Sequence, residues 1–195
     1  GPIKDKKNYR MTMTKDILDW CEKYLEPKNK HLGNVPVCPY ARMARLQNKY
    51  RVLEVKNWDT FIDKIVEGIE LAKSPDIQIV IVACNDIRME PEELATMIHA
   101  YNIVFVPQDI YLMCFHPEDD DEEEEVEFLD TGDWGPENEF MMVLIQNFDE
   151  LEKASDNLRK TGYYDHWPRD YYEGTVLKRQ SYRRYRHGKK VSRLK

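Results

Sequence analysis

Two short motifs contain the residue types that carry nucleophilic and acid–base chemistry. Cys38 begins the stretch Cys38-Pro39-Tyr40-Ala41. A cysteine at the start of a helix has its thiolate stabilised by free backbone N–H groups and by the helix dipole. His116 ends an apolar run, at the kind of position where α/β sheets present catalytic groups. Together these two side chains would supply the nucleophile and the base of a thiol-dependent enzyme.

Both residues also have a structural interpretation, which we favour over the catalytic one. Most buried cysteines are inert, so Cys38 can pack as a small apolar residue beneath an N-terminal helix. One histidine at the end of a strand specifies no reaction. The chain has four cysteines and no C-x-x-C pair, which favours a reduced protein without a disulfide framework or a structural zinc site. We therefore expect no catalytic thiol, no metal and no cofactor.

The C-terminal stretch gives the strongest indication of a partner. Nine Lys or Arg residues and no acid fall between Lys178 and Lys195, and tyrosines are interleaved with them. Cations bind phosphates and aromatic rings stack on bases, but the same side chains also anchor protein interfaces. A basic tail can equally fold back onto its own acidic domain. The residues expected to bind a partner are Trp167, Arg169, Tyr171, Tyr172, Lys178, Arg179, Tyr182, Arg183, Arg184, Tyr185, Arg186, Lys189 and Lys190.

A net charge of -7 conceals this basic block, because an acidic block opposes it. Nine of the ten residues from Glu118 to Glu127 are acidic. Their oxygens suit divalent cations, but the spaced Asp/Asn/Gly pattern of a calcium loop is absent. A solvated loop is therefore the favoured interpretation of the acidic run.

Apolar periodicity predicts the elements that position these motifs. The predicted strands are 50–56, 77–84, 110–116 and 140–146. Helical spacing of apolar residues follows Thr14, Asn57, Pro91 and Asn147. The order strand, helix, strand, helix, strand, strand, helix predicts an α/β fold with a mixed central sheet flanked by helices. This order is thioredoxin-like, with Pro107 before the third core strand, and a ferredoxin-like α+β sandwich is the alternative.

The same pattern predicts the domain organisation. We expect a flexible N-terminal segment at 1–13, a single domain at 14–162 that contains an acidic loop at 118–139, and a C-terminal extension at 163–195. The core pattern ends near Gly162, so we expect the domain to fold without residues 167–195. The longest apolar run, Ile77 to Cys84, is far shorter than the roughly 20 residues of a membrane-spanning helix. A cytoplasmic protein without membrane contact is therefore expected.

The cysteine and histidine motifs resemble those of an uncharacterised bacterial family of unknown function. That family carries an N-L-C-P-F-A motif early in the chain and an F-H-P motif at the end of a later strand. This chain has Pro36-Val37-Cys38-Pro39-Tyr40-Ala41 and Phe115-His116-Pro117, and the similarity extends over about 17–158. The resemblance implies a shared fold, since no activity is established for the family.

These observations favour a small binding or adaptor protein that docks on another protein or a larger assembly through its C-terminal extension. The first alternative is a thiol-dependent enzyme that uses Cys38 and His116. The second is a nucleic-acid-binding accessory protein, whose complex would depend steeply on salt concentration.

Overall fold

The computed structural model describes residues 13–119 and 139–186. The expected flexible segment 1–13 lies outside this range apart from Met13, which is buried in the first helix. Most of the acidic loop 118–139 and the tail residues Lys189 and Lys190 also lie outside the described residues.

Six strands and seven helices are named here in chain order. The strands are β1 (Lys28–Asn29), β2 (Val35–Pro36), β3 (Tyr50–Val55), β4 (Ile79–Cys84), β5 (Ile110–Phe115) and β6 (Met141–Asn147). The helices are α1 (Met13–Trp20), α2 (Ala41–Leu46), α3 (Phe61–Ala72), α4 (Pro91–Phe105), α5 (Phe148–Lys160), α6 (Arg169–Tyr172) and α7 (Lys178–Gln180). Wider π-helical turns follow α1 at Cys21–Leu25 and precede α7 at Glu173–Leu177.

The central sheet has the order β3-β4-β6-β5. β3 runs parallel to β4, whereas β6 is antiparallel to both β4 and β5. β3, β4 and β5 therefore point in the same direction, and their C-terminal ends lie at the same end of the sheet. Every residue of β4 is buried, as expected for a nearly continuous apolar strand with neighbours on both sides.

Helices cover both faces of this sheet. On one face α3 and α4 bury the main apolar cluster, which includes Phe61, Ile65, Leu94 and Ile98. α3 packs so closely that a Cβ atom on Gly68 would lie 2.8 Å from the Ile145 side chain. On the opposite face α1 buries a second cluster. Helices on both faces confirm the predicted α/β architecture and exclude the ferredoxin-like alternative, in which one face would remain uncovered.

The outer edge of β5 is closed by a side chain of α4. The Asn102 amide nitrogen donates to the Leu112 carbonyl at 2.9 Å, and the Leu112 N–H donates to the Asn102 carbonyl oxygen at 2.8 Å. The amide thus makes the two hydrogen bonds that a neighbouring strand would make. Asn102 is buried, so these bonds also satisfy its own polar atoms.

The C-terminal segment, defined here as residues 163–186, is packed onto the domain. Tyr182 joins Val106, Tyr111 and Phe148 in a third apolar cluster beside β5, and Val176 is also buried. This packing argues against the expectation that the domain is complete without residues 167–195, because Val176 and Tyr182 are part of the buried interior. Whether the domain folds without the tail stays a prediction.

The predicted strands agree with the observed ones to within two residues at either end. No helix among the described residues is long and apolar enough to cross a membrane.

Candidate functional site

His116 is held by two backbone groups just after β5. Its Nε2 lies 2.6 Å from the Met89 carbonyl oxygen, and its Nδ1 accepts the Glu118 N–H at 3.1 Å. A carbonyl can only accept, so this arrangement fits the neutral imidazole with its hydrogen on Nε2. Both ring nitrogens are therefore engaged, and the side chain links the end of β5 to the loop before α4.

A shallow pocket of about 320 Å³ adjoins His116. It is lined by the loop before α4 and by Pro117, Glu118 and Glu139. Acidic side chains surround it, but the described residues contain no group of three or more His, Cys, Asp or Glu side chains that could hold a metal ion.

Cys38 lies in the opposite part of the molecule. Its N–H donates to the Leu25 carbonyl at 3.1 Å, and burial raises the pKa of its thiol. Burial also raises the thiol pKa of Cys21 to about 12 and those of Cys84 and Cys114 to about 11. A raised pKa leaves less thiolate at neutral pH, which is the reverse of what a catalytic cysteine needs.

The fold does not bring Cys38 and His116 together. Cys38 interacts electrostatically with Tyr50, the first residue of β3, whereas His116 follows the last residue of β5. β3 and β5 run in the same direction, so the two motifs lie at opposite ends of the sheet, which are separated by the length of a six-residue strand. They do not form a nucleophile–base pair in this structure.

The arginines of the C-terminal segment face a row of acids on α5. Arg183 bonds Glu152 at 2.9 Å and approaches Asp156 at 3.5 Å, and Arg186 bonds Asp149 at 2.9 Å. The acids at 149, 152 and 156 lie on one helical face, because their spacings are three and four residues. Arginines 179, 183 and 186 have the complementary spacing of four and three. The basic segment thus folds back onto an acidic helix of its own chain.

Arg179 and Glu152 form the buried centre of this interface. Arg179 is 6% exposed and Glu152 is 8% exposed, and Arg179 Nε lies 3.8 Å from Glu152 Oε1. Either charge would be costly to bury alone, so the two opposite charges favour this position of the segment, although no direct hydrogen bond joins them at 3.8 Å. The sequence predicts that Arg179 binds a partner, but the structure places Arg179 in the interior.

Tyr182 is the aromatic anchor of the same segment. Its ring packs edge-on against Tyr111, and its hydroxyl lies 2.6 Å from His99 Nδ1 on α4. It is 3% exposed, so this residue, like Arg179, is turned toward the domain and away from a partner. Burial raises the pKa of its hydroxyl.

The remaining aromatic residues of the segment pack mainly on one another. Trp167 lies 4.9 Å from Tyr164 and 4.8 Å from Tyr171 between ring centroids, and Tyr172 lies 5.3 Å from Tyr164. The Tyr163 hydroxyl bonds carbonyl oxygens of the loop that leads to Cys38. These rings connect the end of α5 to that loop. Tyr185 contacts Tyr182 and lies under the Arg184 guanidinium.

A smaller set of the expected partner-binding residues faces solvent. Lys178 and Arg184 are exposed on the outer side of the segment, next to Leu177, which is 43% exposed. Arg169 is also exposed but bonds Glu173 at 2.8 Å. Arg183 is exposed as well, but it bonds Glu152 at 2.9 Å. Among the described cations of the segment, Lys178 and Arg184 are therefore exposed without an acidic ion-pair partner.

Sequence reasoning did not identify the acids of α5 as the partners of the tail. The available signal was the matched helical spacing of Asp149, Glu152 and Asp156 with the arginines. The tail has few aliphatic residues, so apolar periodicity alone predicts no helix there and gives no reason to pair these charges.

Comparison with known proteins identifies no relative: no family model, no curated protein and no solved structure matches this chain.

Proposed function

We propose that the protein is a docking module that binds an acidic surface of a partner protein through the outer face of its C-terminal segment. The observation that carries the proposal is that Tyr182 and Arg179 anchor the segment, while Lys178 and Arg184 face outward. A segment that is anchored on its domain presents its cations in a fixed geometry, which reduces the entropic cost of binding. Cations on a binding surface also speed the encounter with an acidic partner.

A protein partner is favoured over nucleic acid because the aromatic rings are already in use. Binding of single strands relies on open ring faces on which successive bases stack. Here Trp167, Tyr171 and Tyr172 pack within their own cluster, and Tyr182 is buried. The cationic face supports electrostatic binding, and the aromatic ring next to it within the described tail, that of Tyr185, is covered by the Arg184 guanidinium.

Docking is also favoured over thiol chemistry. The Cys38 thiol has a raised pKa, and His116 lies at the other end of the sheet with both nitrogens bonded. A nucleophile without a nearby base and without a lowered pKa has no source of activation.

The test is a charge reversal on the outer face. Lys178→Glu/Arg184→Glu changes two exposed side chains, so it should leave the melting temperature close to that of the wild type. The matched control is Lys153→Glu/Lys160→Glu, which makes the same change in net charge at two other exposed positions on α5.

Immobilised wild-type protein and both variants are compared for capture of a common partner from native lysate, with and without nuclease. The expected result is a partner that nuclease does not remove, that the control variant retains and that the Lys178/Arg184 variant loses. Equal capture by the two variants would overturn the proposal. Loss of the partner on nuclease treatment would favour the nucleic-acid alternative.

A further inference from the structure

α2 has its apolar residues arranged in the reverse of the usual pattern. Its two alanines, Ala41 and Ala44, are each 1% exposed and face the domain. Its large apolar residues face solvent: Met43 is 53% exposed and Leu46 is 59% exposed, and the preceding Tyr40 is 39% exposed. An ordinary amphipathic helix would turn the larger side chains inward, because their burial releases more free energy.

The orientation of α2 is fixed by an ion pair. Arg45 donates from Nε and Nη2 to the two carboxylate oxygens of Glu26, at 2.8 and 2.9 Å. The Glu26 side chain is 5% exposed, so this is a nearly buried bidentate pair. Rotation of α2 to bury Met43 and Leu46 would break it. The outward apolar row is therefore a stable feature of the surface.

The apolar row has a basic rim, although the chain as a whole is acidic. Seven Lys or Arg residues and only two acids lie between residues 20 and 51. Both acids, Glu22 and Glu26, contact Arg45. Arg42, on the exposed side of α2, and Lys49, just after it, have no acidic partner among the residues that the structure describes. Arg51 donates to the carbonyl oxygens of Asn48 and Tyr50, which holds a third cation near the end of α2.

We propose that this surface, named here the α2 patch and formed by Tyr40, Arg42, Met43, Leu46 and Lys49, binds an acidic amphipathic segment of a partner protein. Apolar residues of the partner would pack on Met43 and Leu46, while its carboxylates would reach Arg42 and Lys49. This combination follows from charge complementarity, because the rim is cationic and unneutralised. Helical segments bind in this way through apolar residues at one-turn spacing.

A membrane surface fits the patch less well than a peptide does. Interfacial helices bury a long apolar face and carry many cations, whereas α2 has six residues and two outward apolar side chains. The α2 patch is a surface separate from the C-terminal segment. The proposal for the α2 patch therefore does not depend on the proposed function of the C-terminal segment.

The probe is a fluorescein-labelled 14-residue peptide with Leu at positions of one helical face and Glu elsewhere. A peptide of the same composition with the leucines scattered around the helix controls for charge alone. Binding is followed by fluorescence anisotropy on the full chain. The patch variants are Met43→Ser/Leu46→Ser and Arg42→Glu/Lys49→Glu. The control is Ile62→Ser/Val66→Ser, because those residues of α3 are 46% and 52% exposed and match the patch pair.

We expect saturable binding of the amphipathic peptide, weakened at least about tenfold by either patch variant and less than about twofold by the control. The scattered peptide should bind at least about tenfold more weakly than the amphipathic one. Circular dichroism melts identify any variant that fails to fold. The charge-reversal pair, which leaves Met43 and Leu46 in place, gives a second, independent test of the patch.

Four results would overturn the proposal. One is the absence of saturable binding up to about 1 mM peptide. Another is equal loss of binding in the patch and control variants. A third is tighter binding to vesicles of anionic lipid that the patch variants abolish, which would assign the patch to membranes. The fourth is self-association, seen by sedimentation, that Met43→Ser/Leu46→Ser removes, which would assign the patch to a second copy of this chain.

Discussion

The C-terminal segment and the α2 patch are both rich in cations, yet they use them in opposite ways. Arginines 179, 183 and 186 contact acids of α5, and the first of them is buried. Around α2, Glu22 and Glu26 both contact Arg45, whereas the exposed Arg42 and the half-buried Lys49 form no ion pair with an acid in the described part of the chain. A count of basic residues along the sequence therefore overestimates the cations available for binding in the C-terminal segment. The same count does not reveal the available cations of the α2 patch.

The same contrast holds for apolar residues. The C-terminal segment buries Val176 and Tyr182 although most of its sequence is polar. α2 is rich in apolar residues and exposes the largest of them. The first region contributes to folding and the second leaves its apolar surface free for binding, so substitutions should affect stability strongly in one and weakly in the other.

The largest expected effect is that of removing the C-terminal segment. A chain ending at Asp165 should lose more than about 5 kcal/mol of unfolding free energy, because the buried Val176 and Tyr182 would be missing and the apolar cluster beside β5 would be uncovered. Urea denaturation measures this change. In the full chain, Val176→Asp should also destabilise strongly, whereas Leu177→Asp, at the exposed neighbouring position, should not. An unchanged melt of the truncated chain would show that the segment is not part of the folded unit.

The next largest effect is expected at the buried ion pair. Arg179→Ala should cost about 1–3 kcal/mol, because it removes a buried side chain beside Glu152, which keeps its bond to Arg183. Arg42→Ala, in the α2 patch, should change stability by less than about 0.5 kcal/mol. The combined substitution Arg179→Met/Glu152→Leu should recover part of the loss, since neither buried charge then remains, while the half-exposed Arg183 loses its bond to Glu152. Similar costs at Arg179 and Arg42 would remove the distinction between the two regions.

A smaller effect is expected from a single hydroxyl. Tyr182→Phe keeps the ring in its cluster but removes the bond to His99, and should cost about 1 kcal/mol. Tyr185→Phe removes a hydroxyl that accepts a bond from the exposed Arg184, and should cost less than about 0.5 kcal/mol. Thermal denaturation of the two variants side by side gives the comparison. An equal cost for both would mean that the Tyr182 hydroxyl contributes no more than a surface group.

The smallest effect concerns pH. Bonding from Arg159, together with the nearby charge of Arg183, lowers the pKa of Asp156 below its ordinary value. A lowered folded-state pKa stabilises the protein above the unfolded-state pKa of about 3.9, and the contribution is lost as pH falls through the folded value. Asp156→Asn should therefore flatten the fall in stability below about pH 4 and leave the dependence near neutral pH unchanged. If the unfolding free energy of both proteins fell identically below about pH 4, Asp156 would contribute nothing to the acid sensitivity.

The sheet was predictable because its signal is local. Ile77 to Cys84 is apolar at nearly every position, which indicates a strand with neighbours on both sides, and β4 proved to be that strand. The helices of the sheet faces likewise follow capping residues such as Asn147, whose side chain accepts the Glu150 N–H at 2.8 Å. Such patterns depend on residues a few positions apart, so one sequence is enough to read them.

The role of the tail was not predictable in the same way, because its contacts join distant parts of the chain. The Arg183–Glu152 and Tyr182–His99 contacts span 31 and 83 residues. The segment is buried through arginine and tyrosine side chains, whose polar ends hide their contribution to packing. The separation of Cys38 from His116 could not be predicted from the sequence either, because it depends on which end of the sheet each motif occupies.

The Asn102 amide that caps Leu112 also bears on how the protein behaves at high concentration. An uncovered strand edge is a template on which a second chain can add its own strand, and this is a common route to aggregates. Asn102 of α4 occupies the N–H and the carbonyl of Leu112, and so blocks the addition of a strand at this point of β5. Loss of this amide would thus appear first as concentration-dependent precipitation, even where dilute samples still melt as a single folded species.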